Sequence, residues 1–144
     1  MVSSLSSVVA HAVPLLSSIT EQDAAQKPAP DKWSKKEILG HLIDSAANNH
    51  QRFVRLQLER EISLPGYEQD GWVRVNRYQH TPWTDVVALW AAYNRHLASV
   101  IESVDQSALS HVWHSPGGDL TLEFIATDYV HHMKHHLGQI GLSL

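Results

Sequence analysis

The stretch REISLPGYEQDGWVRVNRYQHTP, residues 60–82, constrains the fold of this chain more than any other, because it separates two long amphipathic segments by more than twenty residues. Helices that lie side by side and antiparallel need only a few residues between them. A connection this long predicts a crossover, and with it an arrangement other than simple up-down-up-down. Its Trp72, Val73, Val75 and Tyr78 predict a short packed helix inside the crossover.

Around that connection the apolar residues repeat at helical spacing in four segments. The first runs from about Ser4 to Thr20 on Leu5, Val8, Val9, Leu15, Leu16 and Ile19, with Pro14 expected to kink or divide it. The second starts at WSKKE, where Ser34 as N-cap and Glu37 three residues later form a capping box behind Trp33, and continues to about Glu59. The third opens near PWTDVV with Thr84 as its cap, and carries Val86, Trp90, Tyr93, Leu97, Val100 or Ile101, and Val104 on one stripe. The fourth follows SPGGDLT and reaches about Ile140, next to Gly141. No hairpin pattern and no internal repeat is expected. The prediction is an all-α four-helix bundle forming a single domain over residues 1–144.

Composition then removes several functions. A formal net charge of −4 with no Lys/Arg-rich run leaves no electrostatic footprint for a phosphate backbone, so nucleic acid is not an expected partner. The N-terminal segment lacks a basic stretch, and no apolar run approaches the roughly 18 residues that span a bilayer. A cytoplasmic protein without a membrane partner is expected. The chain has no cysteine, so any metal must be held through nitrogen or oxygen.

Nitrogen donors are concentrated in DYVHHMKHHLGQIG, residues 128–141. On a wheel of about 100° per residue, Leu122, Ala126, Tyr129, Met133, Leu137 and Ile140 form the inward arc of the fourth segment. His132 and His136 fall on its shoulder, whereas His131 and His135 point to solvent. The same construction on the second segment puts Ile38, Leu42, Ala46, Phe53 and Leu56 inward. His41 sits on the shoulder, followed by a polar flank of Ser45, Asn48 and Arg52. Three imidazoles so placed are either simply hydrogen-bonded at the edge of the core or the protein half of an open catalytic metal site. His11, His50, His80, His111 and His114 have no partner at ligand spacing and are read as solvated or locally bonded. His96, near the edge of the third stripe, is either packed or a proton carrier for the site.

The strings WSKKEILGHLIDSAANNHQRF, TLEFIATDYVHHMKHHLGQI and NRYQHTPWTDVVALWAAYNRHL resemble the DinB/YfiT-like superfamily of small metal-binding proteins over nearly the whole chain. The resemblance implies an up-down-down-up bundle with a divalent metal, zinc or nickel, held by His41, His132 and His136. It names no base. Asp44, one turn after His41, is read either as orienting a ligand or as a solvent-facing charge. Asn48, Arg52 and Trp72 are candidates to line the mouth and meet a carboxylate or amide. The superfamily includes small-thiol-dependent transferases, metal-dependent hydrolases and members without known activity. The expectation taken first is therefore an S-transferase using a low-molecular-weight thiol on a small-molecule substrate. A hydrolase with a metal-activated water and a non-catalytic metal- or ligand-binding module are the alternatives, and a homodimer stays open.

Overall fold

The computed structural model describes residues 2–144. Four long helices carry the fold: α1 (Val2–Ser17), α3 (Lys35–Leu58), α5 (Trp83–Glu102) and α6 (Leu122–Ile140), with short helices α2 (Glu21–Ala25) and α4 (Gln69–Val75) between them. They form a four-helix bundle in which α3 packs against both α5 and α6 while α1 covers α5. The expected crossover helix is α4, followed by a 3-10 turn at Tyr78–His80.

Local chemistry explains where the helices start and stop. Ser34 and Glu37 make the reciprocal capping box at the head of α3, fixing the turn that presents His41 two turns later. At the head of α6 the Thr121 hydroxyl accepts from the Phe124 amide, and at its end Gly141 takes the left-handed conformation that glycine adopts without penalty. The third long helix is capped differently from expectation. Thr84 makes no cap; α5 begins at Trp83, whose backbone amide donates to the Glu21 carboxylate reaching across from α2. Pro14 does not divide α1, and Leu15 is 40% exposed because Ala12 and Leu16 occupy the inward arc instead.

A small sheet departs from the all-helical expectation. Strands β1 (Glu61–Ser63), β2 (Val112–Ser115) and β3 (Gly118–Thr121) form a small sheet, β1 parallel to β2 and β2 antiparallel to β3. The Gly/Pro cluster read as a mere break is the turn of the β2–β3 hairpin, with Gly118 at φ 130°. These strands are three or four residues long and alternate only loosely between buried and exposed, so no period-2 signal was available. The sheet seats Trp113, whose indole Nε1–H donates to the Leu64 carbonyl at 3.0 Å. Among the described residues no helix is long and apolar enough to cross a membrane.

Candidate metal centre

His41 lies on the second turn of α3, and its position depends on the residue before it. A Cβ at Gly40 would stand 2.1 Å from the Tyr78 ring, so only glycine lets the 3-10 turn close onto α3 here. Tyr78 in turn donates to the Asp44 carboxylate at 2.7 Å, and Asn76 donates to the same oxygen at 2.9 Å. Asp44 is therefore buried, at 2% exposure, and not the solvent-facing charge considered above. It ties the crossover to α3, and burial pushes its carboxyl up to about 6.

On α6, i, i+4 spacing stacks His132 and His136 one turn apart, and both face His41. The Nε2 atoms of His41 and His132 lie 3.3 Å apart, and those of His132 and His136 lie 3.1 Å apart. One nitrogen from each ring falls within 4.8 Å of the other two. Three ligand nitrogens around a tetrahedral zinc at about 2.0–2.1 Å stand about 3.3 Å from one another, and both His132 spacings are close to that value. Gln139 supports the arrangement: its side-chain oxygen, 2.8 Å from His136 Nδ1, accepts that N–H and leaves Nε2 its lone pair.

Electrostatics agree with the geometry. Burial first, then repulsion from His136 and His132, holds His41 down at about 4. His132 and His136 are also lowered, chiefly by burial. Neutral imidazole is the form that ligates, so the cluster is kept ready for a cation at neutral pH. His131 and His135 are exposed, on the outer face of α6.

A cavity of about 160 Å³ opens beside His132, walled by Ser45, Asn49 and Arg52 of α3, by Tyr67 and Trp113, and by Asp128 of α6. Arg52 belongs to it as expected. Asn48 does not; its amide donates to the Asp44 carbonyl along its own helix, and Asn49, about 100° further round, faces the cavity. Trp72 meets the Tyr67 ring edge-on, at 5.3 Å between centroids, and does not line the cavity. His96 is exposed and packs edge-on against His50, nine residues along α3 from His41, so it does not reach the histidine cluster as a proton carrier. Asp128, exposed one turn before His132, is not among the sequence candidates; its charge offsets part of the lowering that burial imposes on His132. Its i, i+4 relation to His132 was the available signal.

A helical bundle with three convergent, neutral imidazoles defines a class of small metal-site proteins, and relatives agree with it. Residues 5–140 match the family described as the DinB superfamily, and the chain belongs to it. It is 19% identical over 134 residues to an Oceanobacillus iheyensis protein named "Putative metal-dependent hydrolase", covering 90% of this chain and 75% of that one. A Bacillus mycoides protein with the same name is 22% identical over 130 residues, covering 88% and 75%. Among solved structures, YfiT from Bacillus subtilis, described as a probable metal-dependent hydrolase with an unusual four-helix bundle topology, superposes with a TM-score of 0.86. The identity is 19%, with 96% of this chain and 81% of that chain covered. A DinB-like protein from the same organism gives a TM-score of 0.66 at 20% identity, covering 96% and 85%.

Proposed function

We propose that the protein is a metal-dependent hydrolase whose divalent ion, zinc or nickel, is held by His41, His132 and His136. The observation that carries this reading is Asp128, a carboxylate in the same cavity as His132. When bound, the ion supplies an acidified nucleophile at neutral pH, water for hydrolysis or the thiol of a small cofactor for transfer. Asp128 takes the nucleophile's proton and returns it to the leaving group, as a positioned base does. The His41 ring packs against Trp33, and Gln139 holds His136. Both therefore keep their donor nitrogens aimed without reorganisation.

A specific observation also supports the thiol-dependent S-transferase. An open groove of about 530 Å³ is lined by Trp33, Ile38, Asp70 and Gln139, of which Trp33 packs on His41 at 5.1 Å between centroids and Gln139 bonds His136. Transfer needs room for two substrates, and this groove adds to the cavity beside His132.

The deciding experiment loads the protein with cobalt, adds small thiols, and in parallel measures hydrolysis of activated esters by Asp128→Asn. The hydrolase reading expects no sulfur-to-cobalt charge-transfer band, unchanged metal content in the variant, and about 10²- to 10⁴-fold lower kcat. A strong sulfur-to-cobalt band with unaltered esterase kinetics transfers the assignment to the S-transferase. A protein that binds no stoichiometric metal belongs to the non-catalytic alternative.

A further inference from the structure

Arg52 is 7% exposed, yet among the described residues no carboxylate lies within ion-pairing distance of it. A buried charge is normally paired, because taking it from water is costly. Its protein partners are few. One N–H from Nη1 donates to the Asn49 side-chain oxygen at 3.1 Å, and the guanidinium carbon stands 3.8 Å above the Trp113 ring. A guanidinium has five N–H donors, so most of its fork is free to turn toward a ligand.

The fork has somewhere to point, since Arg52 lines the same cavity of about 160 Å³ as His132. Trp113, anchored by its bond to Leu64, lies under the guanidinium, with its ring centroid 3.8 Å from the guanidinium carbon. Ser45, Asn49 and the Tyr67 hydroxyl add neutral polar groups to the wall, with the Asn49 amide donating to the Ser45 hydroxyl at 3.2 Å. Asp128 stands on the same wall without pairing to Arg52. One positive group deep in the cavity and one negative group at its side match a ligand carrying a single negative charge, and disfavour a doubly charged phosphate by repulsion. A planar, pre-oriented guanidinium matches the two oxygens of a carboxylate.

We propose that Arg52 is the specificity-determining anchor for a carboxylate on the substrate, clamped bidentately in the cavity with the reacting end directed to the histidine cluster. The direction of the reacting end rests on the metal reading above; the anion site itself does not. The residues at i, i+4 and i+7 on α3, Ser45, Asn49 and Arg52, thus form a recognition stripe next to His41.

The test uses sodium butyrate and its neutral counterpart butyramide, followed by the indole N–H resonance of Trp113, on protein both zinc-loaded and stripped with chelator. Butyrate is expected to shift that resonance saturably in both forms, and butyramide to leave it unmoved. Arg52→Met, which keeps an apolar stem over Trp113, should fold and bind butyrate about 10- to 100-fold more weakly, as loss of hydrogen bonds to a charged group predicts. If that variant fails to melt cooperatively, Arg52→Lys takes its place; it keeps the charge, loses the fork and should also bind more weakly. Equal binding of butyrate and butyramide, or unweakened binding by the folded variant, overturns the proposal. Butyrate binding confined to the zinc-loaded form overturns it too, since the carboxylate then sits on the metal. Inorganic phosphate binding as tightly as butyrate overturns the choice of a singly charged carboxylate. Failure of zinc to bind, with the butyrate response intact in stripped protein, would instead remove the metal reading and leave the anion site standing.

Discussion

Two groups of histidines in this molecule sit in opposite environments. At the α3–α6 interface His41, His132 and His136 are enclosed by apolar helix faces and by one another, and all three are driven toward the neutral form. On the small sheet His114 is half-exposed, with Nδ1 at 2.7 Å from Asp119 and Nε2 at 2.8 Å from Glu61, and its proton affinity is raised by those two carboxylates. The first environment withholds protons and leaves lone pairs for a cation; the second recruits a proton and closes a clamp between β1 and β3. What distinguishes a ligand from a strut is the neighbourhood, since the side chains are the same.

The largest expected effect breaks the first group. His41→Ala, His132→Ala and His136→Ala should each lower metal affinity by orders of magnitude in a zinc competition titration, since two remaining protein ligands make a weak site. His131→Ala and His135→Ala, on the outer face, should bind nearly as wild type. Loss of binding in the outer variants with retention in the inner ones would mean that the phase of α6 is off by about 100°.

A smaller loss sharpens the comparison by leaving the ligands in place. Gln139→Ala frees His136 Nδ1 and should weaken zinc about 10-fold or more, within the range typical of groups that orient a ligand. Below that comes the seat of His41. Gly40→Ala forces a methyl into the Tyr78 ring and should destabilise the protein by about 1–3 kcal/mol in chemical denaturation, with the crossover displaced from Asp44.

The split between groups explains what the sequence could disclose. His41, His132 and His136 lie on helices with strong apolar arcs, so one wheel per helix fixed their facing, and the long connection before α5 announced the crossover. The capping box at Ser34 was equally visible because its partners are three residues apart. What could not be read depends on contacts between distant segments: Glu21 capping α5, Asp44 receiving Tyr78 and Asn76, and Trp113 lying under Arg52. The sheet was hidden for the same reason, since β1 finds its partner β2 about fifty residues later and neither strand is long enough to mark itself. Choosing Asn48 over Asn49 shows the limit of the wheel: on a half-buried helix the boundary of a polar flank depends on what packs against it.

The smallest effects are in pH and have opposite signs in the two groups. The His41 proton affinity in the folded protein is below its unfolded value near 6.5, so the unfolded chain binds more protons and stability falls as pH drops from about 6.5 toward 4. Zinc-loaded protein should lose melting temperature more steeply than stripped protein over that range, because protons then compete with the metal as well. His114 behaves in reverse. Its folded value is raised, so its contribution is complete below about 6.5 and is lost as pH rises through the folded value. His114→Gln should flatten the alkaline side of a thermal-melt profile and leave the acid side unchanged; an altered acid limb would contradict the separation of the two groups.

The central claim is that three imidazoles from α3 and α6 hold one divalent ion, and zinc-edge X-ray absorption on the loaded protein tests it most directly. The account predicts a first shell of nitrogen and oxygen at about 2.0–2.1 Å with the multiple scattering of three imidazoles, falling to two in His132→Ala. A wild-type spectrum without imidazole scattering, or one that His132→Ala leaves unchanged, would contradict it.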